Sequence, residues 1–172
     1  VTPKDPGEDT RVVYIKTDQK ADLVVYDKTD NNKQLNSFND KGKTGEGIAF
    51  SGAENYVNDL LAHGYKIDSF INDSNQTSNP SKYGEISYDN FDNIDADQHF
   101  KLYLVHGTAN VTDKKDTTST VHYVIKDGKA TPPADHTETI NWTRPGTKDL
   151  VTGKVTPTGS WTTPGHYTDV PT

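Results

Sequence analysis

The sequence has no cysteine and no methionine among its 172 residues. The absence of cysteine excludes disulfide bonds, thiolate metal sites and cysteine nucleophiles. A chain without methionine cannot start at its own initiator. We therefore expect Val1 to be a cut point and the sequence to be a fragment of a longer protein.

Apolar and basic residues are also scarce. Hydrophobic residues make up 30% of the chain and the mean hydropathy is -0.86, which favours small cores flanked by polar loops over one large core. The formal net charge is -7 and no basic stripe is visible, so nucleic acid and anionic membrane surfaces are poor partners. We expect no membrane insertion, because no apolar run is long enough to cross a bilayer.

The first part of the chain predicts a linker followed by a β-hairpin. Residues 1–10 are rich in proline, glycine and aspartate and are typical of a linker. The segments "RVVYIK" (11–16) and "LVVYD" (23–27) are β-branched, as strands should be, and "TDQKAD" (17–22) between them predicts a turn.

One segment, "FSGAENYVNDLLAHGY" (50–65), carries the only strong helix signal. Ser51 and Glu54 have the spacing of a capping box, and Gly64 is placed to end the helix in the left-handed conformation. The apolar stripe comprises Tyr56, Val57, Leu60 and Leu61. A helix of roughly three turns is not stable alone in water, so this stripe must pack on a sheet.

The segment "HFKLYLVHG" (99–107) completes the first module. Its residues alternate, with Phe100, Leu102 and Leu104 on one face and Tyr103 and Val105 on the other. The order of hairpin, helix and strands predicts an α+β fold of the ubiquitin-like β-grasp type over residues 11–107, a mixed sheet covered by one helix.

A second, β-rich module is predicted over residues 121–172, after a Thr-, Lys- and Asp-rich linker at 108–120. We expect strands at "TVHYVIK" (120–126) and "TETINWTR" (137–144), with turns at Asp127-Gly128, Pro145-Gly146 and Asp149–Gly153. No helix pattern follows residue 120. Trp142 and Trp161 are interpreted as core residues, with stacking on sugars as the alternative.

An internal repeat links the first hairpins of the two modules. The spacing of Val12, Tyr14, Asp18, Lys20 and Ala21 recurs without a gap at Val121, Tyr123, Asp127, Lys129 and Ala130. Two related modules in tandem account for this agreement, and convergent hairpin chemistry is the alternative.

Motifs for catalysis are missing. None of the six histidines forms HExxH, no GxSxG or P-loop is present, and most carboxylates fall in loops and turns. We expect no enzyme activity and no required cofactor. The carboxylates of Asp89, Asp92, Asp95 and Asp97 are clustered within nine residues, and the candidate metal ligands among them are Asp92, Asp95 and Asp97, with a solvated acidic loop as the alternative. Ca²⁺ prefers such oxygens, but the spacing builds no closed shell, so we expect weak binding at most.

Residues 121–163 resemble the second half of a Mub-type repeat from the mucus-binding adhesins of lactic-acid bacteria. The residues that carry this likeness are Gly128, Lys129, Pro132 or Pro133, Trp142, Thr143, Arg144, Asp149, Val151, Thr152, Gly153, Trp161 and Thr162. The first half is similar to the mucin-binding β-grasp unit of that family, through the capped helix, His63-Gly64-Tyr65 and "FKLYLVHG" (100–107). The family continues to a further strand after "HYTDVP" (166–171), so the second module is expected to be shortened or to lack its last strand.

The resemblance implies a repeat of a cell-wall-anchored, extracellular adhesin that is present in tandem copies. Its partners would be mucin glycoproteins, bound weakly by each copy and more strongly by many copies together. The family also resembles immunoglobulin-binding β-grasp repeats, which makes antibodies a second expected partner. The alternative is a structural stalk that binds nothing and projects a tip domain. As an isolated repeat, the chain is expected to be monomeric.

Overall fold

The computed structural model describes residues 18–168, and they form two compact units that divide between His106 and Gly107. The predicted linker at 1–10 and the predicted strand at 11–16 lie outside the described residues. The fold class is confirmed: both units are small and strand-rich, and the first is a β-grasp. In residues 18–168, no helix has the length and apolar character needed to cross a membrane.

Over residues 18–106, the first unit contains five strands and one α-helix. The elements are β1 (Asp18–Asp27), β2 (Lys33–Lys43), α1 (Ala53–Ala62), β3 (Tyr65–Ile71), β4 (Thr77–Ser78) and β5 (Gln98–His106), with a 3₁₀ turn at Tyr83–Glu85. The strand order is β2-β1-β5-β3-β4, and the central pair β1 and β5 is parallel while its neighbours are antiparallel. The predicted turn at 17–22 is wrong, because residues 18–22 continue β1, where Ala21 is buried on the core face.

The core of the first unit lies between the sheet and the helix. The largest side chains with essentially no exposure are Leu23, Val25, Val57, Phe100, Leu102 and Leu104. Val57 lies on the helix α1, and the other five come from alternate positions of β1 and β5, so the predicted two-residue period of β5 is confirmed. Phe100 packs edge-on to Phe50 and Tyr88 and is stacked with Phe70 at a centroid distance of 6.1 Å.

The helix α1 packs as its stripe predicts but begins differently. Val57 is buried, and the other three residues of the stripe pack at the edge of the same core. The predicted capping box is wrong: Gly52 is the N-cap, with φ 79°, and no side chain caps the helix. The C-terminal prediction is confirmed, because Gly64 has φ 99°, a conformation that costs a residue with a Cβ more than glycine.

The second unit is a three-stranded antiparallel sheet with the order β6-β7-β8. Its strands are β6 (Thr108–Val121), β7 (His136–Asp149) and β8 (Val155–Pro157). β6 and β7 pair over their full length of 14 residues, and β6 forms one edge of the sheet. The predicted linker at 108–120 is therefore wrong. Its Thr-rich composition favours an extended strand, and its polar character reflects a sheet with little apolar burial.

The connections between strands in the second unit also differ from those predicted from the sequence. The predicted strand at 120–126 ends at Val121, and residues 122–135 are irregular with a turn at Asp127-Gly128. The two copies of the internal repeat therefore differ in structure, because Asp18 begins β1 whereas Asp127 lies in this loop. The turn at Asp149–Gly153 is confirmed: Asp149 Oδ1 accepts hydrogen bonds from the amides of Val151 and Thr152 at 2.8 and 3.0 Å.

Pro145-Gly146, predicted as a turn, continues strand β7. The carbonyl of Pro145 accepts a hydrogen bond from Thr158 N–H at 3.0 Å, on the β8 side. In a strand, the N–H of a residue points to the same side as its carbonyl, so the donor that proline lacks does not interrupt the β6–β7 ladder. Gly146 is closely packed, since an added Cβ would lie 3.1 Å from Val155 Cγ1 and 3.2 Å from the Thr156 carbonyl oxygen, and these neighbours would have to move by a few tenths of an ångström.

Candidate functional site

One face of the second unit gathers both tryptophans of the chain. Strand alternation places Trp142 and Arg144 on this face of β7, and the register sets Lys115 opposite Trp142 and Asp113 opposite Arg144 on β6. Trp161 joins them because the following residue pairs with β7 through two backbone hydrogen bonds, Thr143 N–H to Thr162 O at 2.9 Å and the reverse at 2.8 Å. The face therefore combines two indoles with charged side chains.

Arg144 is held by two contacts on this face. Its guanidinium lies 4.3 Å from the centre of the Trp161 ring, a cation–π geometry. Arg144 Nε and Nη2 both contact Asp113 Oδ2, at 2.8 and 2.7 Å. The positive charge of Arg144 is therefore neutralised within the protein, and its plane covers one face of Trp161.

A cleft of about 220 Å³ opens between the tryptophans and is lined by Lys115, Thr117, Trp142 and Trp161. Trp142 Nε1 donates a hydrogen bond to Thr117 Oγ1 at 2.8 Å, and the Tyr167 hydroxyl donates to the same oxygen at 2.9 Å. Both tryptophans are half-buried, so their interpretation as core residues is wrong. Their rings instead form the walls of an open site, which we call the tryptophan cleft.

A second depression of about 390 Å³ lies along the same strands and is lined by Lys114, Lys115, Asp116, Asn141, Trp142 and Thr143. Its lining mixes lysines with a carboxylate and an amide, and only one aromatic ring contributes. The tryptophan cleft is lined by neither a carboxylate nor a histidine. Its two indole rings can bind an apolar ring face.

The first unit contains a buried polar network at the end of β1. Asp27 Oδ1 accepts hydrogen bonds from the amides of Thr29 and Asp30 at 2.9 and 3.0 Å. Asp27 Oδ2 lies 3.0 Å from the Tyr65 hydroxyl, which donates to it, and 2.9 Å from His106 Nε2. Sequence analysis did not identify this network, because it joins three elements that are far apart in the chain.

The network moves two pKa values in opposite directions. Burial acts to raise the pKa of Asp27, but the hydrogen bonds from Asp30, His106 and Tyr65 outweigh it and hold the pKa below its ordinary value of 3.8. Burial and the neighbouring Asp27 carboxylate raise the pKa of Tyr65 to about 12. Both shifts favour the ionised carboxylate and the neutral phenol, which is the state that closes the network.

The predicted acidic cluster does not converge on one point. Asp92 Oδ1 accepts a hydrogen bond from the Ile94 amide at 3.0 Å, and the Asp92 amide donates to Gln98 Oε1 at 3.1 Å. The side chains of Asp89, Asp95 and Asp97 are exposed. Within residues 18–168, no group of three His, Cys, Asp or Glu side chains is close enough to hold a metal ion.

Weak Ca²⁺ binding by Asp92, Asp95 and Asp97 stays a prediction. We expect Ca²⁺ at a few times a dissociation constant of about 0.1–1 mM to stabilise the chain by roughly 1 kcal/mol or less. Melting curves recorded with Ca²⁺ and with EDTA measure this shift. A shift that persists in the double variant Asp92→Asn, Asp95→Asn would place the ion elsewhere, and a large shift at micromolar Ca²⁺ would contradict the prediction of a weak site.

Together, a β-grasp unit and a strand-rich unit with an open aromatic cleft define a tandem binding module. Residues 19–106 match the family described as Mucin binding domain, and residues 108–172 match the family described as Muc B2-like domain. The chain belongs to the Mucin binding domain family. These families are adhesin-type binding repeats of extracellular surface proteins.

The solved structures that resemble the chain include two Mub repeats. A type 2 repeat of the mucus binding protein MUB from Lactobacillus reuteri is 28% identical with a TM-score of 0.58, and the match covers 83% of this chain and 74% of that one. The structure described as Mub-RV is 25% identical with a TM-score of 0.55, and the match covers 88% of this chain and 76% of that one. No curated protein matches the sequence. The resemblance to a Mub-type repeat is therefore confirmed.

Proposed function

We propose that the chain is one repeat of a wall-anchored bacterial adhesin that attaches cells to mucus glycoproteins, with mucin glycans as the ligands. Family membership and the likeness to a repeat of a mucus binding protein support this proposal. The observation that carries it is the tryptophan cleft, where Trp142 and Trp161 leave ring carbons accessible in an otherwise Thr-rich unit. Sugars present apolar C–H faces beside hydroxyls, and such faces pack on aromatic rings.

Binding by one repeat is expected to be weak. The cleft is smaller than the roughly 300–1,000 Å³ of pockets that enclose drug-sized ligands, so it accommodates one sugar ring rather than a whole oligosaccharide. Tandem copies on one chain would then raise the overall affinity through a high effective concentration, without any new contact. A repeat of low single-site affinity is suited to a partner that presents many similar glycans.

The proposal predicts that Trp161→Ala weakens binding to mucin at least about tenfold, because tryptophans at binding hot spots contribute about 2 kcal/mol or more. The measurement is surface plasmon resonance of residues 1–172 on immobilised mucin, with circular dichroism to verify folding. Leu150→Ala is the matched control, since Leu150 is a large exposed apolar residue of the same unit, 43% exposed, that does not line the cleft.

Two other results have distinct meanings. Binding to an immunoglobulin channel, unchanged by Trp161→Ala, would indicate an antibody-binding repeat that uses another surface. No binding on either channel, with a normal fold, would contradict adhesion by this repeat and favour the stalk function. Equal binding of mucin by the wild type and Trp161→Ala would show that the tryptophan cleft is not the contact surface.

A further inference from the structure

We infer that the tryptophan cleft takes a single acidic sugar, a pyranose ring that carries a carboxylate or a sulfate ester, with Lys115 as the residue that selects the charge. This inference rests on the proposed function and names the class of sugar that the cleft would bind. Nothing in the family description assigns a ligand group to this face or a role to Lys115.

Two of the three hydrogen-bonding positions of the Thr117 hydroxyl are used. A threonine hydroxyl has two acceptor positions and one donor. Trp142 Nε1 and the Tyr167 hydroxyl both donate to Thr117 Oγ1, so its two acceptor positions are filled. Its own hydrogen is left to donate. The polar group of Thr117 therefore offers the cleft a donor and has no acceptor left for a ligand.

Lys115 supplies a second donor and a positive charge. Its side chain is exposed at the cleft and forms no ion pair with any residue of the described chain. Arg144, the other nearby cation, is already neutralised by Asp113 at 2.7 Å. Lysine offers three N–H donors and no acceptor, so the ammonium of Lys115 favours an anionic partner.

The polar side chains that line the cleft therefore offer hydrogen-bond donors and no free acceptor, while the walls of the cleft are indole rings. A ligand that complements it has acceptor oxygens with negative charge and an apolar ring face. Neutral sugars satisfy only the second requirement. A carboxylated or sulfated sugar ring satisfies both, and the cleft volume of about 220 Å³ limits the contact to one such ring.

The charge distribution along the chain supports this choice. Residues 107–172 contain seven Lys and Arg against seven Asp and Glu, whereas residues 1–106 contain eleven against eighteen. The net charge of -7 therefore belongs entirely to the first unit, and the unit that carries the cleft is neutral. An acidic sugar meets no overall repulsion from the second unit, although repulsion from the first would lower its affinity.

The test uses three probes with the same ring: methyl β-galactoside, its 6-sulfate and methyl β-galacturonate. Trp142 and Trp161 are the only tryptophans, so the chain gives two indole N–H signals in ¹H–¹⁵N correlation spectra, which Trp→Phe variants assign. We expect both acidic probes to shift both signals and to bind about two- to fivefold more tightly than the neutral probe. That is the range that one solvent-exposed charge pair supplies. The preference should shrink at high salt.

Two neighbouring lysines provide a matched pair of variants. Lys115→Ala should reduce the ratio of the affinities for the acidic and neutral probes to about one, while the neutral probe still binds. Lys114→Ala removes the same charge from the adjacent position, which points to the opposite face of β6, and should keep the preference. If both variants lost the preference for acidic probes equally, a site at Lys115 would be contradicted. The preference would then come from the overall electrostatic potential of the second unit. Preference for one acidic probe over the other would identify the acid as carboxylate or sulfate.

The outcomes separate this inference from the proposed function. If residues 1–172 bind mucin but no galactoside shifts either indole signal, adhesion stands and the acidic-sugar site is wrong. If the acidic probes bind with the predicted Lys115 dependence but immobilised mucin does not bind, the site stands and adhesion to mucin is wrong. Equal affinity for neutral and acidic probes in the wild type overturns the inference directly.

Discussion

Phe100→Ala will lower the free energy of unfolding of the first unit by about 3–5 kcal/mol, the range for removing a fully buried phenylalanine. Phe100 has no exposure, and its ring contacts Phe50, Phe70 and Tyr88 at centroid distances of 5.8, 6.1 and 5.3 Å. The cavity left by the ring would lie between sheet and helix, where the packed aromatic rings cannot easily close it. A loss of this size is a large part of the stability of a small domain.

The two units can be followed separately in one urea titration. Both tryptophans lie in the second unit, so tryptophan fluorescence reports that unit. Among residues 18–168 the one α-helix lies in the first unit and dominates the helical circular dichroism signal. We expect Phe100→Ala to move the dichroism transition and leave the fluorescence transition in place. Val105→Ala, on the opposite face of the same strand, is the control and should cost much less. Equal shifts of both transitions would show that the units unfold as one.

Asp27→Ala will cost about 3–5 kcal/mol, because each buried donor left without an acceptor costs about 1–3 kcal/mol. The substitution leaves two backbone amides and the Tyr65 hydroxyl without the acceptor they have in the native state. Asp27→Asn keeps one oxygen acceptor and removes the charge, so it should cost less than Asp27→Ala. Urea denaturation of the two variants beside the wild type measures both values.

The same network predicts how stability varies with pH. The pKa of Asp27 is depressed in the folded state, so its contribution is present above about pH 4 and is lost as pH falls through the folded pKa, below 3.8. The pKa of Tyr65 is raised to about 12, so its contribution is complete below pH 10 and is lost as pH rises from 10 towards 12. We expect the free energy of unfolding of Asp27→Asn to fall less than that of the wild type as the pH drops below about 4. If the variant lost as much stability at acid pH as the wild type, other carboxylates would be responsible for that loss.

Sequence patterns predicted the first unit well because its elements bury one face. In β5, Phe100, Leu102 and Leu104 alternate with half-buried or exposed residues, and this contrast is visible in the sequence. The stripe of α1 is visible for the same reason. The Asp27 network was invisible, since its members come from β1, β3 and β5 and meet only after the sheet forms.

The second unit was harder to predict because its longest strand has polar residues on both faces. Along β6, Lys115 and Thr117 face the cleft while Lys114, Asp116 and Thr118 face away, so hydrophobic alternation is absent and the segment resembles a linker. What identifies it as a strand is its full-length pairing with β7, including side-chain contacts such as Thr118 Oγ1 to Thr139 Oγ1 at 3.2 Å. The tryptophans had the opposite effect: they predicted a core in the second unit, but its thin sheet has no deep core to bury them.

Strand β6 forms an edge of its sheet, and this has a consequence for a protein built of several such repeats. Identical edges on one chain would meet at high local concentration, the condition under which neighbouring domains exchange or join strands. The middle of β6 reads Asp113-Lys-Lys-Asp116, four consecutive charges where a second copy would have to pair. Charged side chains at that position disfavour such pairing. In a protein with several such repeats, the charges in the middle of β6 would therefore protect each repeat from pairing wrongly with its neighbours.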